Sequence, residues 1–173
     1  MPEVFRIALI GPESTGKTTL AHDLAAKYTT LWVPEFSRDY MSGLRRPYTK
    51  DDVIHCTKMQ MEDEDTKLPD CNRFLFSDTE LIIAKVWLLD VFGEFPDWID
   101  ERILTRKFDL YLLTAPDLDF VDDPVRENAE RRDFFFNWYR KELDSYHFPY
   151  DIIHGMGEER MQNAISIIQK HFS

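Results

Sequence analysis

Eight consecutive residues, Gly11-Pro12-Glu13-Ser14-Thr15-Gly16-Lys17-Thr18, carry the spacing G-x-x-x-x-G-K-T. The two glycines let the backbone curl so that successive N–H groups point at phosphate oxygens, and the first turn of a following helix adds its positive end. In such a loop Lys17 reaches the β- and γ-phosphates, while the Thr18 hydroxyl coordinates Mg²⁺. The phosphate-binding set is therefore Gly11, Glu13, Ser14, Thr15, Gly16, Lys17, Thr18 and Thr19, with ATP and Mg²⁺ as the implied cofactors.

Further acids and arginines are spaced to serve this loop. Asp78 follows the apolar run Arg73-Phe74-Leu75-Phe76-Ser77, where a carboxylate at a strand end complements Thr18 as a second ligand for a hard cation. In Pro34-Glu35-Phe36-Ser37-Arg38-Asp39-Tyr40, Glu35 stands at a strand end. It is a candidate base for an attacking hydroxyl, and Arg38 a candidate to hold the acceptor or a phosphate. Tyr40, Trp87 and Trp98 are candidates to line a pocket for a flat acceptor ring. Residues 117–132 read as a lid in which Arg126 and Arg131 neutralise charge developing on the transferred group, with Arg132 left unassigned. The turn His154-Gly155-Met156-Gly157-Glu158 reads equally as a plain connection or as a backbone contact to a nucleotide base.

To hold these groups at one place, the chain must supply strands that end where the chemistry starts. Residues 4–10 form a β-branched, apolar run bounded by Gly11 and Pro12, the pattern of a strand buried on both faces. Further strands are expected over 30–33, 73–76, 109–113 and 150–153. Helices are expected over 18–27, 51–65 with Thr49 as cap, 80–92, 129–146 and 159–171. Five strands alternating with helices specify a three-layer α/β/α sandwich on a parallel sheet, here expected as a single domain over residues 1–173.

Composition narrows the classes. The chain has 173 residues, 43% hydrophobic and 31% charged, which is enough for one real core and leaves no case for disorder. No apolar run approaches the ~20 residues of a spanning helix, and no secretory leader is read at the N-terminus, so the expected location is the cytoplasm and no membrane partner is expected. Cys56 and Cys71 match no zinc spacing and are expected as free thiols. A formal net charge of −11 repels a phosphate backbone, so no nucleic-acid partner is expected, whereas a small-molecule acceptor suits the chain and assembly with copies of itself stays open.

With those motifs in place, the chain resembles the ribosylnicotinamide kinase domain of the bifunctional NadR proteins. The likeness runs through the Gly11 to Thr18 loop, Val33-Pro34-Glu35-Phe36-Ser37-Arg38-Asp39-Tyr40, Ser77-Asp78-Thr79, and Asp109-Leu110-Tyr111-Leu112-Leu113-Thr114 with Asp117 and the stretch from Asp122 to Arg126. The resemblance implies the nucleoside and nucleotide kinase branch of the P-loop fold, with strand order 2-3-1-4-5. It also implies ATP-dependent phosphorylation of the 5′-hydroxyl of nicotinamide riboside to nicotinamide mononucleotide. The family pattern has Trp and Gly in the lid where this chain has Phe120 and Asp123. Bifunctional members carry an N-terminal adenylyltransferase domain, for which nothing before Val4 leaves room, so a stand-alone kinase is expected. Competing readings are a kinase for another nucleoside or small acceptor, and a regulatory ATP-binding module with slow ATPase activity. Glu35 and the lid arginines favour transfer over signalling.

Overall fold

The structure, a computed structural model, describes residues 2–117 and 131–173. Its elements in chain order are β1 (Phe5–Ile10), α1 (Lys17–Lys27), β2 (Leu31–Val33), α2 (Phe36–Ser42), α3 (Lys50–Lys67), β3 (Phe74–Asp78), α4 (Leu81–Phe92), α5 (Asp97–Thr105), β4 (Leu110–Thr114), α6 (Arg132–Tyr146), β5 (Tyr150–Ile153) and α7 (Gly157–His171), with a 3₁₀ turn, Leu68–Asp70, after α3. The five strands make one sheet in the order β2-β3-β1-β4-β5, every neighbouring pair parallel. This is the expected α/β/α sandwich and the strand order that the resemblance implied.

Alternation along β1 divides the core. Ile7 and Leu9 pack with Leu20 and Leu24 of α1 and with Ala164 and Ile168 of α7 on one face. Ala8 and Ile10 pack with residues of α3, α4, α5 and α6 on the other, among them Val53, Ile82, Ile99 and Leu143. Successive strand side chains point to opposite faces, so a strand covered on both sides must be apolar at every position. Ile7, Ala8, Leu9 and Ile10 are all fully buried.

Helix starts follow local chemistry. At α3 the Thr49 hydroxyl accepts from the Asp52 N–H at 3.3 Å while the Asp52 carboxylate accepts from the Thr49 N–H at 2.7 Å, a reciprocal capping box. The same carboxylate accepts from Arg46 at 2.7 Å and 3.0 Å and from the Tyr40 hydroxyl at 2.8 Å, which holds it far below the usual carboxylate range.

The structure corrects several boundaries. β3 runs to Asp78, so this carboxylate is the last strand residue rather than the first loop residue. Two short helices, α2 and α5, lie where the sequence suggested none. α2 has no buried residue, and α5 buries only Ile99 and Ile103, so neither carries an apolar stripe long enough to read. α7 opens at Gly157, two residues before the expected start at Glu159. The expected start at Ala129 of the helix that appears as α6, together with Phe120, Asp122, Asp123 and Arg126, lies outside the described residues.

Candidate active site

All five strands run in one direction, and β1, β2 and β3 end beside one another at the edge where the glycine loop begins. Leu9 pairs with Asp78, and the Thr79 N–H donates to the Leu9 carbonyl at 3.1 Å, so the end of β3 lies level with the start of the loop. Gly11 packs against β4: a Cβ there would collide with the Thr114 Oγ1 and stand 2.9 Å from the Thr114 carbonyl oxygen, which leaves room only for glycine. Gly16, the residue before α1, has φ of 79°, a left-handed conformation that also favours glycine.

The loop is braced from below by residues of ordinary type. Thr15 is buried, and its hydroxyl donates to the Pro12 carbonyl at 2.7 Å and shares a 2.7 Å hydrogen bond with the Thr114 hydroxyl. Thr15 therefore offers a ligand its backbone rather than its side chain. Thr114, given no role from the sequence beyond its place in the family likeness, is the buttress of the loop. Lys17 folds over the loop, donating to the Gly11 carbonyl at 2.9 Å and the Pro12 carbonyl at 3.2 Å.

Thr18 and Asp78 meet: the hydroxyl donates to Asp78 Oδ2 at 2.6 Å. Asp78 is fully buried, and its other oxygen, Oδ1, has no hydrogen-bond partner among the described residues. Burial pushes its carboxyl up to about 6, opposed by Lys17, reinforced by the negative charge of Glu35, and opposed again by the Thr18 hydrogen bond and Arg38. A buried carboxylate oxygen without a partner, next to a hydroxyl at the mouth of a phosphate loop, is a donor set that fits Mg²⁺. That hard ion takes few protein oxygens and completes its shell with phosphate and water. Thr18 and Asp78 are the residues that would hold it.

Glu35 is the residue before α2. Its carboxylate makes no capping bond to its own helix and accepts from the Ser37 hydroxyl at 3.1 Å. It lies at a cleft between α3 and α4, with a volume of ≈ 40 Å³, lined also by Cys56, Gln60, Glu64, Glu80 and Trp87. The Trp87 indole N–H donates to the Tyr48 hydroxyl at 3.1 Å, which fixes the ring. Glu80, the cap of α4, accepts from the Ile82 and Ile83 N–H groups at 2.7 Å and 3.3 Å. Complete burial nevertheless pushes it up to about 8. Glu64 is buried against Arg6 at 2.7 Å and Arg106 at 3.3 Å.

The other sequence candidates are distributed less uniformly. Arg38 is near enough to Asp78 to oppose the rise in its pKa. The Tyr40 hydroxyl is engaged by Asp52, and its ring lies 6.1 Å from Phe36; it is not among the residues lining the cleft. Trp98 stands apart from the cleft, against Lys58 in a depression with Arg102 and Arg106. Arg131 pairs with Asp90 of α4 at 3.0 Å and 2.8 Å and lies over the Phe134 and Phe135 rings. Arg132, unassigned from the sequence, donates to the Ser14 carbonyl of the glycine loop at 3.3 Å. In the turn after β5, the Asp117 carboxylate lies 3.1 Å from His154 Nδ1 and accepts from the Gly155 N–H at 3.0 Å.

Gln60, Glu64, Glu80 and Thr114 escaped the sequence reading. The first three sit inside helices or at a helix cap, where a polar residue reads as solvated surface unless the fold shows it buried.

Comparison with known proteins gives a consistent frame. The trifunctional NAD biosynthesis/regulator protein NadR of Escherichia coli (strain K12) is 26% identical over 137 residues, covering 74% of this chain and 33% of that protein. Its counterpart in Salmonella typhimurium is 27% identical over 126 residues, covering 69% of this chain and 30% of that one. The chain thus spans about a third of the length of these curated relatives. Among solved structures, a NadR protein in complex with NR has a TM-score of 0.79 at 23% identity, covering 97% of this chain and 51% of that one. A deoxyadenosine kinase from M. mycoides with bound dCTP has a TM-score of 0.60 at 14% identity, covering 95% and 99%. Those two likenesses establish the fold. No helix among the described residues is long and apolar enough to cross a membrane. A family model described as an AAA domain matches residues 6–160, from β1 into α7, and the chain belongs to that family.

Proposed function

We propose that this protein is an ATP-dependent kinase that transfers the γ-phosphoryl group to the 5′-hydroxyl of nicotinamide riboside, giving nicotinamide mononucleotide. The observation that supports it most is the placement of Glu35, at the mouth of an acid-rich cleft and close enough to Asp78 for its charge to act there. The homology to NadR and the likeness to a solved NadR structure in complex with NR support this choice of acceptor. Trp87 and the Glu35 carboxylate suit a cationic heterocycle.

In this reading residues 11–19 hold the triphosphate by backbone N–H groups, and Lys17 releases the loop carbonyls to reach the β- and γ-oxygens. Thr18 and Asp78 hold Mg²⁺, which when bound neutralises phosphate charge. The riboside lies in the cleft, and Glu35 accepts the proton of its 5′-hydroxyl as the oxygen bonds to the γ-phosphorus and the bond to the β-phosphate bridging oxygen breaks, releasing ADP. Arg38 and Trp87 bind the acceptor. Arg132, already in contact with the loop, takes the charge-neutralising role expected of Arg131, in company with Arg126. Tyr40 supports the acceptor side through α2 and Asp52 rather than by direct contact.

Riboside-dependent ADP release tests this directly. Glu35→Gln should lower kcat by about 10²–10⁴-fold with ATP affinity retained, because the base and the glycine loop are separate. ADP release at the same rate with and without riboside would replace the kinase reading with that of an ATPase.

A further inference from the structure

A single buried amide joins the two halves of the site. Gln60 lies on α3, lines the cleft and is 7% exposed. Its Oε1 accepts from the Phe36 N–H at 2.9 Å, and its Nε2 donates to the Asp78 carbonyl oxygen at 3.1 Å. Phe36 is the first residue of α2, next to Glu35. Its N–H has no acceptor within the helix, and Glu35 does not cap it. Asp78 is the last residue of β3 and the carboxylate that hydrogen-bonds Thr18. The orientation of the amide is fixed by its neighbours, since an N–H can face only the oxygen and a carbonyl only the nitrogen.

We infer that Gln60 is a positioning residue that sets Glu35 against Asp78, acting on catalysis through the two backbones that carry them. This rests on the kinase reading of the site. The amide's hydrogen bonds go to the two backbones and not to either carboxylate, so its effect is geometric. α2 reaches the sheet edge through a two-residue connection after β2 and buries no side chain of its own. Phe36 and Tyr40 lie half-buried against the His55 ring of α3, and the hydrogen bond at Phe36 is the polar contact that sets the register of the first turn. Only a side chain with an acceptor and a donor on one planar group spans both backbones. Methionine matches its length and offers neither function, and glutamate keeps the acceptor for Phe36 but turns a second acceptor on the Asp78 carbonyl.

The test is a double-mutant cycle between Gln60→Met and Glu35→Gln, read as riboside-dependent kcat, with KM for ATP and Tm measured on each variant. Gln60→Met should lower kcat by about 10²-fold, the scale of a misplacement near 1 Å, with KM for ATP unchanged. In the Glu35→Gln background the same substitution should change kcat little, because there is no base left to misplace. Gln60→Glu should fall between wild type and Gln60→Met. Gln60→Met with wild-type kcat, or an equal loss in both backgrounds, overturns the inference and leaves the kinase reading intact. A wild-type protein that turns over no riboside overturns both. Should Gln60→Met fail to fold, Gln60→Glu takes its place in the cycle and is held to the same criterion.

Discussion

A methyl group at Gly11 would drive into the Thr114 side chain and backbone, so Gly11→Ala should destabilise the protein by about 1–3 kcal/mol and distort the phosphate loop. Thermal unfolding and nucleotide binding measure the two effects separately. Among the described residues Lys17 hydrogen-bonds to loop carbonyls, so Lys17→Ala should keep the fold and lose nearly all transfer; near-normal turnover would remove the phosphate-loop reading. The arginines offer a sharper contrast. Arg132 reaches the loop and Arg131 is tied to Asp90, so Arg132→Ala should cost about 10²-fold or more in kcat. Arg131→Ala should cost less kcat and lower Tm. The reverse ranking would return the charge-neutralising role to Arg131. At this scale the sequence is explicit where a motif dictates chemistry, as at Lys17 and Thr18. It is silent where an ordinary residue becomes special through a contact, as at Thr114 and Arg132.

Among the elements, α4 carries its charge in an unusual place. Its cap Glu80 is buried yet faces the helix N-terminus, and burial wins, pushing the carboxyl up to about 8. In the unfolded chain the group titrates near ~4.3, so between those values the folded state holds a proton that the unfolded state has released. The stability associated with that proton is fully present below the unfolded value and is lost as pH rises through about 8. Glu80→Gln keeps an acceptor for the Ile82 N–H without titrating, so its Tm advantage over wild type should grow from pH 5 to pH 8. A pH-independent difference would mean that Glu80 stays ionised. Long elements are legible because their apolar spacing repeats, as in α4 with Leu81, Ile82 and Val86. α2 and α5 are not, since α5 buries just Ile99 and Ile103 and α2 nothing at all.

For the whole molecule, the order β2-β3-β1-β4-β5 sets β1 between β3 and β4, so the loop after β1 meets Asp78 on one side and Thr114 on the other. Local sequence carries strand existence but not lateral order, because neighbours in the sheet lie far apart in the chain, as Ile7 and Leu110 do. The resemblance carried by the motifs supplies that order. The cleft is legible only in outline: Glu35 and Trp87 stand out in the sequence, but Gln60, Glu64 and Glu80 converge on it only through the packing of α3 against α4. The central claim is a phosphoryl transfer to a riboside. It is tested most directly by incubating the protein with Mg-ATP and a panel of ribosides that includes nicotinamide riboside, then reading the products by mass spectrometry with fragmentation to locate the phosphate. The account predicts nicotinamide mononucleotide, phosphorylated at the 5′ position, formed together with ADP and absent with Lys17→Ala. A folded protein that consumes ATP and leaves every riboside unphosphorylated would contradict it.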